Sequence, residues 1–495
     1  MSTRGKLAGL AFVGIAATMA CAQILGLEPP PSGDASVTFD ATAPDVVVET
    51  CAPLEADDAS YRPLTNGPLD DAGNPTDGAA ASTVWESLDL DNVASGVGNF
   101  AGGVFDGSRY AYFVPNGSGN DAIVMQYDTA KPFTSKSSWA SFNTRTNLGV
   151  GREGFLGAAF DERYVYFVPN HYVGPDGGTA YDGVVVRYDT TMPFGAVGSW
   201  STFDTQTIPV DGGAYGFAGS VFDGRNVYFV PYTTGVGFDG RAARYDTEFD
   251  GGFPDAGADA AAPGFAPLAA WSAYDLGAQQ GTALGFYGGA FDGRYVYFAP
   301  YANGNSNNTF SGTVARYDTA ASFTTSGAWS FNEIDSFLPG AYGFVGAAFD
   351  GQYVYFVPHQ TGIAVRYDTT QPFGEKPSWS TFDVGSIIPL DGGAVPVFSG
   401  GAFDGRFVYF IPSTTSAGGA LGVIVRYDTL SAFDSLCAWS TFDTTTVNGN
   451  VIGFFGAVYD GRFLYLPPRG SIAVRYDTKA HAAMPALPAF HGSFF

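Results

Sequence analysis

In a chain built from near-identical units, chemistry has to come from residues that break the pattern. A group present in every unit is scaffold first. The four histidines, His171, His359, His481 and His491, all lie outside the repeated motifs. Glu162 stands where the sister units carry glycine, Gln352 stands where arginine is usual, and Glu333, Asp335 and Glu375 lie in connections. Two carboxylates facing a pocket would suit glycoside hydrolysis or lyase chemistry. Paired histidines would suit a metal. His171 and His359 each closely follow a Val-Pro stop and so share a face, but they belong to units two and five. Joint ligation would need the central channel, and solvated loop histidines are the plainer reading. No nucleophile elbow, Asp-box, Walker loop, HExxH or EF-hand ladder occurs, so no catalytic residue and no metal ligand is assigned. Asp-Gly-Gly loops at Asp176, Asp211 and Asp391 offer Ca²⁺ some oxygens, but without the alternating acids of a calcium loop they read as tight turns. No cofactor is expected.

Recognition chemistry is better represented. The connections after the second and fourth strands of each unit carry Asn170, His171, Tyr172, Tyr232, Tyr301 and His359, with Tyr181, Tyr215, Phe238, Asn303, Phe310 and Tyr342 nearby. Tyrosine and asparagine give large contact area and adaptable hydrogen bonds at low rotamer entropy. The first six are the candidate ligand-binding residues; the alternative is that such rings simply pack within their own loops.

The elements that must position them repeat seven times. A Phe-Asp-Gly-Arg-Tyr-Val-Tyr-Phe-Val-Pro run is followed by Arg-Tyr-Asp-Thr and then Trp-Ser-x-Phe-Asp, with turns starting at Phe105, Phe160, Phe222, Phe291, Phe349, Phe403 and Tyr459. In unit two, Gly154–Phe160 reads as a first strand and Asp161 opens a hairpin turn, both of whose central residues can take positive φ. Arg163–Val168 is a second strand stopped by Pro169, Val184–Asp189 a third and Trp200–Asp204 a fourth. Four antiparallel strands per unit make a propeller blade. The seventh unit lacks its Trp strand, while an unattached Val84-Trp85-Glu86-Ser87-Leu88-Asp89 precedes the first. The tryptophans Trp85, Trp139, Trp200, Trp271, Trp329, Trp379 and Trp439 are therefore one per fourth strand. The expected fold is all-β: a seven-bladed β-propeller closed by an N-terminal strand that completes the last blade. Motif residues such as Arg187 and Asp189 read as repeated structural ion pairs and turn caps.

This order of Tyr-Asp, Trp, loop and Asp-Gly hairpin resembles kelch-type repeats over residues 84 to 478. Kelch blades carry a double glycine after the second strand, where this chain has Val114-Pro115, Val168-Pro169, Val230-Pro231 and Val357-Pro358. The resemblance implies a scaffold that presents loops to partners.

Four regions follow. Residues 1–20, basic at Arg4 and Lys6 and then apolar, read as a bacterial signal peptide, and Cys21 after Thr18-Met19-Ala20 resembles a lipobox whose cysteine takes the lipid. Residues 21–81 form an acidic, low-complexity stalk in which Arg62 is the lone cation; 82–478 form the propeller; 479–495 are an apolar tail. A second low-complexity patch, Asp250 to Pro267, interrupts unit three as a surface loop. With Cys21 lipidated, Cys51 and Cys437 remain to pair. The net charge of −25 excludes nucleic acid and anionic membrane surfaces as partners, so membrane association is expected only through the lipid. The reading is an exported monomer at the bacterial cell envelope, lipid-anchored at the outer membrane or secreted, serving as a non-enzymatic binding module for a protein or glycan. The alternatives are a carbohydrate-active enzyme with carboxylates at the channel mouth and a multivalent lectin with repeated sites between blades.

Overall fold

The computed structural model describes residues 84–479 apart from 118–121, 150, 175, 250–264, 266, 305–308 and 389. The leader, the stalk with Cys21 and Cys51, and residues 480–495 with His481 and His491 lie outside the described residues, as does most of Asp250–Pro267.

Each unit folds into a four-stranded antiparallel sheet, and there are seven such sheets. Blade two consists of Phe155–Phe160, Tyr164–Pro169, Val184–Asp189 and Trp200–Asp204. In blade seven, Val458–Tyr459, Phe463–Leu466 and Ile472–Asp477 are completed by Trp85–Asp89, with Trp85 opposite Tyr476 and Asp89 opposite Ile472. The N-terminal strand thus closes the ring as expected.

The Asp-Gly turn is held at three points. Asp161 Oδ1 accepts the backbone N–H groups of Arg163 and Tyr164, and its Oδ2 accepts the Tyr166 hydroxyl at 2.5 Å. Asp223, Asp292, Asp350, Asp404 and Asp460 do the same for Tyr228, Tyr297, Tyr355, Tyr409 and Tyr465. Only the second turn residue takes positive φ, as at Gly224 (95°) and Gly293 (98°), because the aspartate is committed to capping. In blade two that strain falls on Glu162, at φ 80°.

The motif arginines divide into two kinds, which corrects the single ion-pair role expected for them. Second-strand arginines clasp the Tyr-Asp carboxylate; Arg109 meets Asp128 with Nε and Nη2 at 2.8 and 2.7 Å. This holds the Asp128 carboxyl down at about 2. Arg163 and Asp189 pair in the same way, and in blade five Gln352 substitutes weakly, 3.4 Å from Asp368. Third-strand arginines make no such clasp with the motif aspartates. Arg187 lies over Tyr164 at 4.0 Å and over Phe265 of the next blade at 4.3 Å, with Nε on Ser201. Arg366 sits likewise between Tyr353 and Phe433, and Arg426, only 1% exposed, lies over Phe407. A guanidinium layered between rings satisfies its charge by cation–π attraction while filling the blade interface. Phe265 is thereby a buried interface residue inside what reads in sequence as a surface loop.

Tryptophans form the outer seam. Trp200 stacks on Phe142 of the preceding blade at 4.2 Å, Trp439 on Phe382 at 4.2 Å and Trp85 on Phe442 at 4.4 Å. Most donate Nε1–H to the carbonyl of a phenylalanine six residues earlier, as Trp439 does to Phe433 at 3.0 Å. Trp85 enters from the far end of the chain, and its Nε1 has no partner among the described residues.

Candidate functional site

The first strand of every blade carries Phe-x-Gly, and that glycine builds the site's floor. Gly102, Gly157, Gly219, Gly288 and Gly346 take φ of 70° to 93°. At these points the register with the second strand shifts, a bulge that re-aims the preceding side chain. Those preceding residues, Ala101, Leu156, Ala218, Tyr287 and Val345, come from five consecutive blades and form one buried cluster with half-buried Tyr232, Tyr301 and Phe455. First strands pack side by side around the ring, so the axis is filled by an apolar floor.

Above that floor lies one position per blade, the residue immediately after the second-strand proline: Asn116, Asn170, Tyr232, Tyr301, His359, Ser413 and Arg469. Three of them latch onto the next blade. The Nδ2 groups of Asn116 and Asn170 donate to the carbonyls of Phe155 and Phe217, both at 2.9 Å, and His359 Nδ1 donates to Phe398 O at 2.8 Å. Because a carbonyl only accepts, Nδ1 carries the proton and Nε2 is left as an acceptor. Burial holds the His359 imidazole below its ordinary pKa, partly offset by the Phe398 carbonyl, and the Arg469 charge adds to the depression. Burial likewise lowers His171. Both imidazoles are therefore neutral at neutral pH. Neither is the solvated loop histidine expected from sequence: His171 is half-buried with Nδ1 3.0 Å from Asn170 Oδ1.

Tyr301 is the hub of the mouth. Its ring lies 5.8 Å from Tyr232, 6.0 Å from Tyr287, 5.5 Å from His359 and 5.5 Å from Phe310. On the opposite side Arg469, exposed, places Nη1 3.1 Å from Ser413 Oγ. Its charge is felt at both Tyr287 and His359.

Four of the six candidate residues, Asn170, Tyr232, Tyr301 and His359, thus meet in one ring. His171 and Tyr172 stand beside it on an additional hairpin, His171–Val173 with Thr179–Tyr181, that no repeat predicts. Asn116, Tyr287, Ser413 and Arg469 escaped the sequence reading. Their signal is a single alignment column after Val-Pro, plus the residue before the bulge glycine. Tyr215 lies under the Arg241 guanidinium, and Tyr342 stacks on Phe310.

The remaining candidates sit elsewhere. Glu333 lines a cleft of about 600 Å³ between blades four and five with Trp329, Asn332, Ser336 and Phe337. It accepts from Gln280 Nε2 and Thr282 Oγ1, and it is the one carboxylate among the lining residues. Glu375 is exposed at the head of a short turn, and Asp335 is exposed as well, its carboxyl raised by partial desolvation. Asp176 caps its own hairpin by accepting from Gly178 N–H at 3.0 Å, and Asp211 and Asp391 lie in turns of the same tight kind. Two buried carboxylates below the mouth loops were not anticipated. Asp182 and Asp239 each have one oxygen without a partner among the described residues. Cys437 is disulfide-bonded, and the chain's other cysteines are Cys21 and Cys51.

No family model and no curated protein matches the chain. Among solved structures it is similar to virginiamycin B lyase from Staphylococcus aureus, at 14% identity over 79% of this chain and 98% of that one, with a TM-score of 0.47. It is similar also to YCF48 bound to D1 peptide (12% identity, 79% and 96% covered, TM-score 0.44). A third is BamB from Moraxella catarrhalis (13% identity, 76% and 85% covered, TM-score 0.39). The likeness to these proteins is one of propeller fold.

Proposed function

We propose that the protein is an exported binding module that takes a ligand at the mouth of the propeller axis. One observation carries this reading: the position after the second-strand proline presents five residue types across seven blades whose surrounding motif barely varies. Asn116, Asn170 and His359 share a latch to the next blade. Tyr232, Tyr301, Ser413 and Arg469 make no such latch among the described residues and leave unlike groups at the mouth, as a site assembled from one residue per blade would. The apolar floor and unlike rim fit a single ligand per chain.

Two observations weigh against the alternatives. Hydrolysis with paired carboxylates would need two acids facing one pocket; the mouth ring carries none, and the outer cleft has Glu333 alone. Repeated lectin sites between blades would need exposed motif residues. Instead Arg426, Tyr166, Tyr228, Tyr297 and Tyr355 are fully buried, and the exposed second-strand arginines are each committed to a Tyr-Asp carboxylate.

Export rests on the basic–apolar leader and Cys21, and the acidic stalk would hold the ring away from an envelope surface. A disulfide at Cys437 suits an oxidising compartment. The ligand would be displayed by an envelope protein or glycan.

Ligand-observed NMR of the full chain against a library of mixed charge tests the reading. Hits should disappear with the double variant Tyr301→Ala/Arg469→Ala while its cooperative unfolding persists. Hits that survive that variant, or that are converted to product, would refute it.

A further inference from the structure

We infer that the mouth recognises a carboxylate carried on an apolar body, the carboxylate meeting Arg469 and the tyrosine hydroxyls and the body resting against the half-buried rings above the axial floor. The inference builds on the mouth being the ligand site and adds the ligand's chemistry.

It starts from hydroxyls left unused. Elsewhere in the propeller the buried tyrosines are hydrogen-bonded: Tyr166 to Asp161, Tyr188 to the Met192 carbonyl, Tyr367 to the Gln371 carbonyl. The hydroxyls of Tyr232, Tyr287 and Tyr301 bond to no described residue, although Tyr287 is only 6% exposed. None of these oxygens is among the sealed, partnerless polar atoms of the described residues, so they reach open space at the mouth and can donate to a ligand. The three rings pack with centroids 5.3 to 6.0 Å apart, and three unbonded donors on one aromatic cluster suit an acceptor-rich group.

Charge narrows the class. In a chain of net charge −25, the mouth ring holds Arg469 and no acid. Among the described residues Arg469 is not clasped by a carboxylate as the second-strand arginines are; the partner of its side chain there is a neutral serine hydroxyl. An anion is therefore favoured there over a cation or a neutral polar group, and the planar fork of arginine suits a carboxylate. The rings above the floor decide the rest. Ala101, Leu156, Ala218 and Val345 are sealed at 0 to 7% exposure, so the surface offered is the half-buried rings of Tyr232, Tyr301 and Phe455, which match an aromatic or aliphatic body. His359 Nε2, the acceptor beside Tyr301, suits an N–H on that body.

N-acetylphenylalanine has these features, and its amide differs only in lacking the charge. Both would be titrated by calorimetry and NMR onto the full chain, with glucuronate as the sugar carboxylate. The acid should bind about tenfold tighter than the amide, as a charge-assisted pair requires, and tighter than glucuronate. Arg469→Gln should erase the acid–amide difference while leaving the weak binding of the amide. Tyr301→Phe should weaken the acid severalfold. Arg469 is exposed, so its variant should unfold at the wild-type denaturant concentration. Equal binding of acid and amide, absence of binding at ~10 mM, or discrimination that survives Arg469→Gln would overturn the inference. A preference for glucuronate would overturn the apolar body. Neutral library hits displaced by Tyr301→Ala, alongside equal binding of acid and amide, would remove the charge reading and leave the mouth as the site.

Discussion

Replacing Trp85 with alanine should open the ring at one place. Trp85 is 2% exposed, stacked at 4.4 Å on both Phe442 of blade six and Tyr476 of its own blade. Truncating a buried tryptophan costs about 3–5 kcal/mol in lost transfer energy and cavity. No hydrogen bond adds to this, because its Nε1 is unpaired among the described residues. Trp439→Ala loses an equivalent ring and also the 3.0 Å bond to Phe433 O, so it should cost about 1 kcal/mol more. The two variants differ more in where the damage goes. Trp85 lies on the strand that closes the ring without covalent continuity, held by its pairing with Ile472–Asp477 and by Glu86 on Arg475. Urea unfolding measures the first quantity and native-state hydrogen exchange the second. Trp85→Ala should speed exchange at Ala473 to Tyr476 by orders of magnitude, and Trp439→Ala should leave those amides slow. A Trp85→Ala loss below about 1 kcal/mol, or unchanged exchange at Ala473 to Tyr476, would refute the closure argument.

Three further outcomes follow from the structure. Burial raises the Asp182 carboxyl to about 6, offset in part by the Val184 N–H and the Arg152 charge. A raised acid gives stability that is present below its unfolded value near 4 and lost as pH climbs through 6. Asp182→Asn should therefore stabilise the fold at pH 7.5 by at most roughly 3 kcal/mol, with the gain gone by pH 4, as read from urea midpoints across pH. Glu162→Gly should add roughly 1 kcal/mol, because it relieves the one left-handed turn residue that is not glycine among the Asp-Gly turns; a loss would show that the side chain has a role. Non-reducing peptide mapping should link Cys437 to Cys51, and Cys437→Ser should cost about 2–4 kcal/mol, whereas a free Cys437 thiol would contradict the bonded state.

Legibility followed periodicity. Strand order, blade count and the completing strand were all readable, because a residue demanded seven times by the same packing announces itself, as the tryptophans do. The site was half readable. Asn170, Tyr232, Tyr301 and His359 stood out as unusual residues after a fixed stop signal, but nothing along the chain says that seven such positions converge on one axis. Arg469 was hidden because an arginine in an arginine-bearing repeat looks like scaffold. Tyr287 was hidden because its direction depends on a bulge at Gly288. The division of the arginines was beyond sequence for a related reason: Arg163 and Arg187 differ not in type but in which face of the sheet they occupy, and only neighbouring blades decide whether a carboxylate or a ring waits there.

A crystal structure of the full chain with the tightest ligand from the library tests the central claim most directly. The account predicts one ligand per chain at the axial mouth, touching Tyr301 and Arg469 above the floor of Ala101 and Leu156. Density in the Glu333 cleft instead, or repeated between blades, would contradict it.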